Sequence, residues 1–117
     1  VLATPESYNT PMGIAKTVKT LDATHDVFIA EMGARRKGDI GRLMRIVRPS
    51  HTLLTGVNDQ HLETFGSREA IMREKLKILD VRAEDGVCIV NDSLASVPRI
   101  AENRYGNIVP AGTQWWK

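Results

Sequence analysis

The feature that most constrains this chain is a repeated alternation between helical apolar stripes and short, unbroken apolar runs. Val27, Phe28, Ile29 and Ala30 form one such run, closed by Glu31, and Val87, Cys88, Ile89 and Val90 form another. Hydrophobicity that does not alternate is what a strand buried on both faces needs, as in the interior of a parallel sheet. Asn9 or Thr10 followed by Pro11 is a helix start, because proline at the first helical position sacrifices no hydrogen bond. Ile14, Ala15, Val18 and Leu21 then recur at helical spacing. Asp39 is placed to cap a second helix, whose stripe is Ile40, Leu43, Met44 and Val47 and which Pro49 ends.

Another strand is expected from about Thr52 to Val57, a loop from Asn58 to Gly66, and a third helix from its cap Ser67 to about Asp80. After the Val87 run come a helix over Ser93 to Asn103 and a short strand at Asn107 to Val109. Helices alternating with apolar strands and joined by right-handed crossovers give an α/β fold. It has three layers, a mainly parallel sheet with helices on both faces.

The 117 residues suffice for one core, and 42% hydrophobic with 26% charged residues is the make-up of a globular domain. A formal charge of +2 is too small to draw nucleic acid or a membrane surface by long-range attraction. No apolar run approaches the ~20 residues that span a bilayer, and the N-terminus lacks a signal-peptide pattern. The single cysteine, Cys88, lies within an apolar run and reads as a small buried hydrophobe, which fits the reducing cytoplasm. The first residue is Val1 rather than Met, so the chain is expected to be a piece of a longer one.

Ligands of open parallel sheets bind at the carboxyl ends of the strands. Glu31 closes the first apolar run, His61 follows the second strand, and Asn91 and Asp92 follow the third. A carboxylate and an imidazole on one sheet edge can share a hard divalent ion, although magnesium prefers oxygen. They can equally be a strand-end carboxylate bonded to a helix N-terminus and an ordinary loop histidine. Lys75 falls within the apolar face formed by Ile71, Met72, Leu76, Ile78 and Leu79, with Arg73 and Lys77 pointing away. An ammonium there must snorkel out, find a carboxylate or be chemically altered. Arg35, Arg36, Lys37, Arg42, Arg45 and Arg48 form either a solvated face or a phosphate clamp beside Glu31. Trp115 and Trp116 call for a packing surface.

Three segments, TPESYNTPMG from Thr4, EMGARRKGDI from Glu31 and TGVNDQHLETFGSREAIMREK from Thr55, occur in an order and spacing that resemble the Mur ligase family. Within it the resemblance is to the ligases that add D-alanyl-D-alanine to a UDP-muramoyl tripeptide, and it covers about Thr4 to Asn91. The resemblance implies an incomplete P-loop NTPase-like central domain. It implies that Glu31 and His61 bind Mg2+, that Lys75 matches a lysine carbamylated in many members, and that Ser7, Asn9 and Thr10 face the UDP-sugar peptide. In such ligases ATP phosphorylates the substrate carboxylate, and the amine of an amino acid or dipeptide attacks the acyl phosphate.

The sequence also departs from the family. A Gly-rich phosphate-binding loop ending in Lys and Ser or Thr, due just before Thr4, is not in the 117 residues. The C-terminal domain that closes over ATP is likewise expected downstream. Arg35 stands where asparagine is common, and Gly56, Asn58 and Asp59 differ from the usual loop before His61. These residues alone are therefore expected to be inactive. Two other readings stand beside the peptidoglycan ligase: a folylpolyglutamate synthase-like ligase, and a non-catalytic binding module that lost the phosphate loop.

Overall fold

The computed structural model describes residues 1–81, 83–91, 94 and 108–111. Five strands and four α-helices are formed among them: β1 (Leu2–Ala3), α1 (Pro11–Val18), β2 (Phe28–Ile29), α2 (Asp39–Val47), β3 (His51–Leu54), α3 (Leu62–Phe65), α4 (Arg68–Lys75), β4 (Val87–Asn91) and β5 (Ile108–Ala111). A 3-10 segment, Leu76–Leu79, continues directly from α4. Every strand pair is parallel, as the alternation of helices and strands requires. The described strands form two sets, β1-β2 and β3-β4-β5, in place of the single sheet expected.

The helix starts follow from local chemistry. Thr10 caps α1, its Oγ1 accepting from Gly13 N–H at 3.2 Å, with Pro11 in the first turn. Ser67 caps α4 in the same way, accepting from Ala70 N–H at 3.1 Å. The second helix corrects the sequence reading. Gly38, in the left-handed region at φ 96°, occupies the cap position, and Asp39 is the first helical residue. The Asp39 carboxylate turns back to accept from the N–H groups of Arg35 and Arg36, at 3.0 and 2.9 Å. A glycine cap offers no side-chain acceptor, so the start of α2 draws on another element, described below.

Other boundaries also moved. The strand expected over Thr52 to Val57 is His51–Leu54, because the Thr55 carbonyl accepts from the Asn91 side-chain amide at 2.9 Å. The expected loop from Asn58 to Gly66 contains α3, and the expected third helix changes to 3-10 geometry after Lys75. The run Val27 to Ala30 is not buried on both faces. Val27 and Ile29 are 49% and 56% exposed, since β2 pairs only with β1 among the described residues and its other side borders an open cleft. The helix expected over Ser93 to Asn103 lies outside the described residues except for Leu94, and Asp92, Trp115 and Trp116 lie outside them altogether.

Two apolar clusters hold these elements. Ile14, Ala34, Ile40 and Leu43 are buried together, with Val18, Phe28, Met44 and Val47 packed against them. Leu54, Leu76, Leu79 and Cys88 form the other, and Ile78 touches both. Cys88 is the buried hydrophobe its setting suggested, with Sγ 3.4 Å from the Leu79 carbonyl oxygen.

Candidate functional site

The ends of β1 and β2 are laced together. Thr4 N–H donates to the Ile29 carbonyl at 2.9 Å, and Thr4 Oγ1 accepts from Glu31 N–H at 3.1 Å. One turn further, Gly33 N–H donates to the Asn9 carbonyl at 2.9 Å. A Cβ at position 33 would come within 2.8 Å of Asn9 Cγ, so any larger residue here would have to displace the Asn9 side chain. Glu31 and Asn9 therefore leave neighbouring strand ends on loops that support each other, where ligands of parallel sheets bind.

Beyond β3 the chain turns into α3 through His61, which caps that helix at φ 64°. Asp59 pairs with Arg68 Nε at 2.7 Å and ties this loop to the start of α4, although both side chains are largely exposed. Ser7 also holds a left-handed conformation, at φ 67°. A serine and a histidine in this region carry strain that a glycine would not, and such residues cluster at functional loops.

These pieces border one open cleft of about 1380 Å³. Glu31, His61, Lys75, Asn9 and Thr10 all line it, together with Thr4, Arg35 and Asp39. Ser7 does not line it; it is exposed on the turn before Asn9. Thr52, also on the wall, has a buried hydroxyl without a hydrogen-bond partner among the described residues. Of the basic cluster, Arg35 and Arg48 reach the cleft, while Arg42 and Arg45 are exposed on α2.

Lys75 is half-buried on the cleft wall and is not enclosed by apolar side chains. The buried charge of α4 is its neighbour Glu74, at 1% exposure, which sequence reasoning missed. Its carboxylate accepts from Ile40 N–H at 3.0 Å and from Lys77 Nζ at 2.6 Å. Burial pushes the Glu74 carboxyl up, but hydrogen bonds from Gly38 N–H, Lys77 and Ile40 N–H, with the Lys77 charge, outweigh burial and hold it below the usual range. Helical period alone could not single out Glu74. The nearest signal was the glycine at position 38, which leaves the start of α2 without an acceptor of its own.

The donor set suits a hard cation only in part. No group of three or more His, Cys, Asp or Glu residues comes together among the described residues. Glu31 offers the oxygen that magnesium prefers, and His61 the less typical nitrogen. Such a partial shell fits Mg2+, which keeps several waters and is commonly completed by substrate phosphates.

A parallel α/β domain with a wide cleft that runs along β2 and β3 and is edged past their carboxyl ends by a carboxylate and an imidazole, with a lysine also on its wall, has the layout of a nucleotide- or substrate-binding catalytic domain. The chain belongs to the Mur ligase middle domain family, which it matches over residues 1–114. It is 36% identical over 109 residues to the UDP-N-acetylmuramoyl-tripeptide–D-alanyl-D-alanine ligase of Mycobacterium leprae, covering 93% of this chain and 21% of that protein. To the Bacillus subtilis enzyme of the same name it is 34% identical over 83 residues, covering 71% of this chain and 18% of that protein. The chain thus spans about a fifth of the length of these relatives. Among solved structures, a MurF from Acinetobacter baumannii superposes with a TM-score of 0.82 at 28% identity, covering 93% of this chain and 24% of that one. The MurF ligase of Thermotoga maritima in complex with ADP gives 0.78 at 31% identity, over 96% of this chain and 26% of that one.

Proposed function

We propose that these residues are part of the central domain of a longer, cytoplasmic, ATP-dependent ligase that joins D-alanyl-D-alanine to a UDP-muramoyl tripeptide in peptidoglycan precursor synthesis. Residues outside the 117 would supply the phosphate-binding loop and the domain that closes over ATP. The observation that carries the reading is the cleft lined by Glu31, His61, Lys75, Asn9 and Thr10, in a chain whose relatives bear that activity by name and one of whose structural neighbours binds ADP.

In this reading Glu31 and His61 hold Mg2+. The ion, when bound, neutralises charge on phosphate oxygens as the carboxylate is activated for attack by the incoming amine. Lys75 contributes as a carbamate, which converts a cation into an oxygen donor suited to a hard ion. Its half-buried position on the cleft wall leaves the amine accessible to carbon dioxide. Asn9 and Thr10, on the loop backed by Gly33, orient the muramoyl peptide together with Ser7 on the adjoining turn.

The test is ligation by the whole protein that carries this domain, assayed with UDP-muramoyl tripeptide, D-alanyl-D-alanine, ATP and a series of Mg2+ concentrations. Glu31→Gln and His61→Ala are expected to raise the Mg2+ needed for half-maximal rate at least ~10-fold, the effect of losing a ligand or its support. Ligation with the same Mg2+ dependence in both variants would refute the assignment of the metal residues. No ligation by the unaltered protein would refute the reading as a whole.

A further inference from the structure

Glu74 is the only charged residue buried among the described residues, and it lies beside the lysine on the cleft wall. Stability alone does not account for it. A buried ion pair is commonly no better for stability than well-packed apolar side chains of similar volume. What this carboxylate does that an apolar residue cannot is accept hydrogen bonds from the start of α2. Gly38 provides no side-chain cap there, and Glu74 Oε1 takes the Ile40 N–H at 3.0 Å. Lys77 Nζ, 2.6 Å from Oε2, balances the charge.

The consequence reaches the cleft by two routes. The segment from Glu31 to Gly38 is fixed at its beginning by Thr4 Oγ1 and the Asn9 carbonyl, and towards its end by Asp39, which holds the N–H groups of Arg35 and Arg36. Asp39 belongs to the helix turn that Glu74 seats. On α4 itself, successive residues are rotated by about 100°, so anchoring Glu74 to α2 sets the rotation at which Lys75 meets the cleft.

We infer that Glu74 is a positioning residue: by capping α2 from α4 it fixes both the Glu31–Gly38 loop and the orientation of Lys75 on the cleft wall. Its effect on turnover rests on the ligase reading; its effect on the loop does not. Amide hydrogen exchange on the 117-residue chain tests the loop directly. Glu74→Ala is expected to accelerate exchange at Gly38 and Ile40 and also at Gly33, Arg35 and Arg36, at least ~10-fold at each, as expected for a local opening made easier. Glu74→Gln, which keeps an acceptor, is expected to leave Gly33, Arg35 and Arg36 within ~3-fold of the original. Should Glu74→Ala fail to fold, Glu74→Asp, withdrawn by one methylene, replaces it with the same expectation. Acceleration confined to Gly38 and Ile40 would make Glu74 a local cap and overturn the inference.

In the whole ligase, Glu74→Ala is expected to lower kcat ~10- to 100-fold per folded molecule at saturating substrates, with Glu74→Gln restoring most of it, since small misplacements of reacting groups carry costs of that size. Unchanged kcat in folded Glu74→Ala protein would also overturn the inference. An unaltered protein that does not ligate would overturn the ligase reading alone, and the exchange result would still decide the role of Glu74.

Discussion

Replacing Glu74 should cost more stability than any exposed charge, and the cost should depend on pH in a definite direction. Glu74→Ala removes a charged acceptor from Ile40 N–H, a bond of a class contributing about 1.5–3 kcal/mol. It also deletes one buried methylene, worth about 0.8 kcal/mol. Lys77, 39% exposed, regains water, so its share is discounted. The sum is ~2–4 kcal/mol, a large part of the ~5–15 kcal/mol that domains possess. Glu74→Gln keeps an acceptor and should cost less. Because the folded carboxyl is held below its ordinary value of 4.5, its stabilisation is fully present above that pH and is lost as pH falls through the lower folded pKa. Urea unfolding followed by circular dichroism, at several pH values from about 7 down to 3, measures both effects. The gap between the original chain and Glu74→Gln should close on acidification below 4.5. A gap that widened there, or a Glu74→Ala cost under ~1 kcal/mol at neutral pH, would refute the reasoning.

Three further substitutions probe the frame and the cleft. Leu43→Ala, at a fully buried position between α1 and α2, should destabilise by ~2–5 kcal/mol in the same urea assay. Gly33→Ala places a methyl 2.8 Å from Asn9 Cγ and should cost ~1–3 kcal/mol, with shifts of the Asn9 side-chain amide resonances by NMR. In the whole ligase, Lys75→Ala should abolish most turnover while moving the urea midpoint by the equivalent of less than ~1 kcal/mol, because the side chain is only half-buried; near-normal turnover at low carbon dioxide would make it a snorkelling lysine.

The parts of the fold that local chemistry decides were legible in the sequence. Thr10 before Pro11, and Ser67 before the Ile71 stripe, capped the helices they were expected to cap. Parallel pairing followed from the alternation of helices and strands. What misled was chemistry that only tertiary contacts decide. Asp39 has the right residue type for a cap, but its carboxylate serves Arg35 and Arg36 while glycine takes the cap position. The apolar run at Val27 suggested two buried faces, yet its outer face borders the cleft. The candidate residues Glu31, His61 and Lys75 could be proposed from strand ends and a resemblance, whereas Glu74 could not. Its partner is a backbone N–H 34 residues away, and hydrophobic periodicity carries no information about such a bond.

The change of helix type after Lys75 explains how one short segment serves two cores and a cleft. In α4, Ile71 and Glu74 lie three residues apart and are both buried, Glu74 facing α2. A continued α-helix would turn Leu79 about 60° away from Leu76 as viewed down the axis. In a 3-10 segment residues three apart eclipse, so Leu76 and Leu79 both enter the cluster with Leu54 and Cys88 beneath β3 and β4. Lys75 stands at the joint between the two geometries. The residue before it is committed to α2, and the residue after it to the core under the sheet. Lys75 is thereby left to the cleft without an ion pair of its own among the described residues. Restoring a regular α-helix through Leu79 would set the polar commitment of Glu74 against the apolar one of Leu76 and Leu79, and the orientation of Lys75 would shift with whichever prevailed.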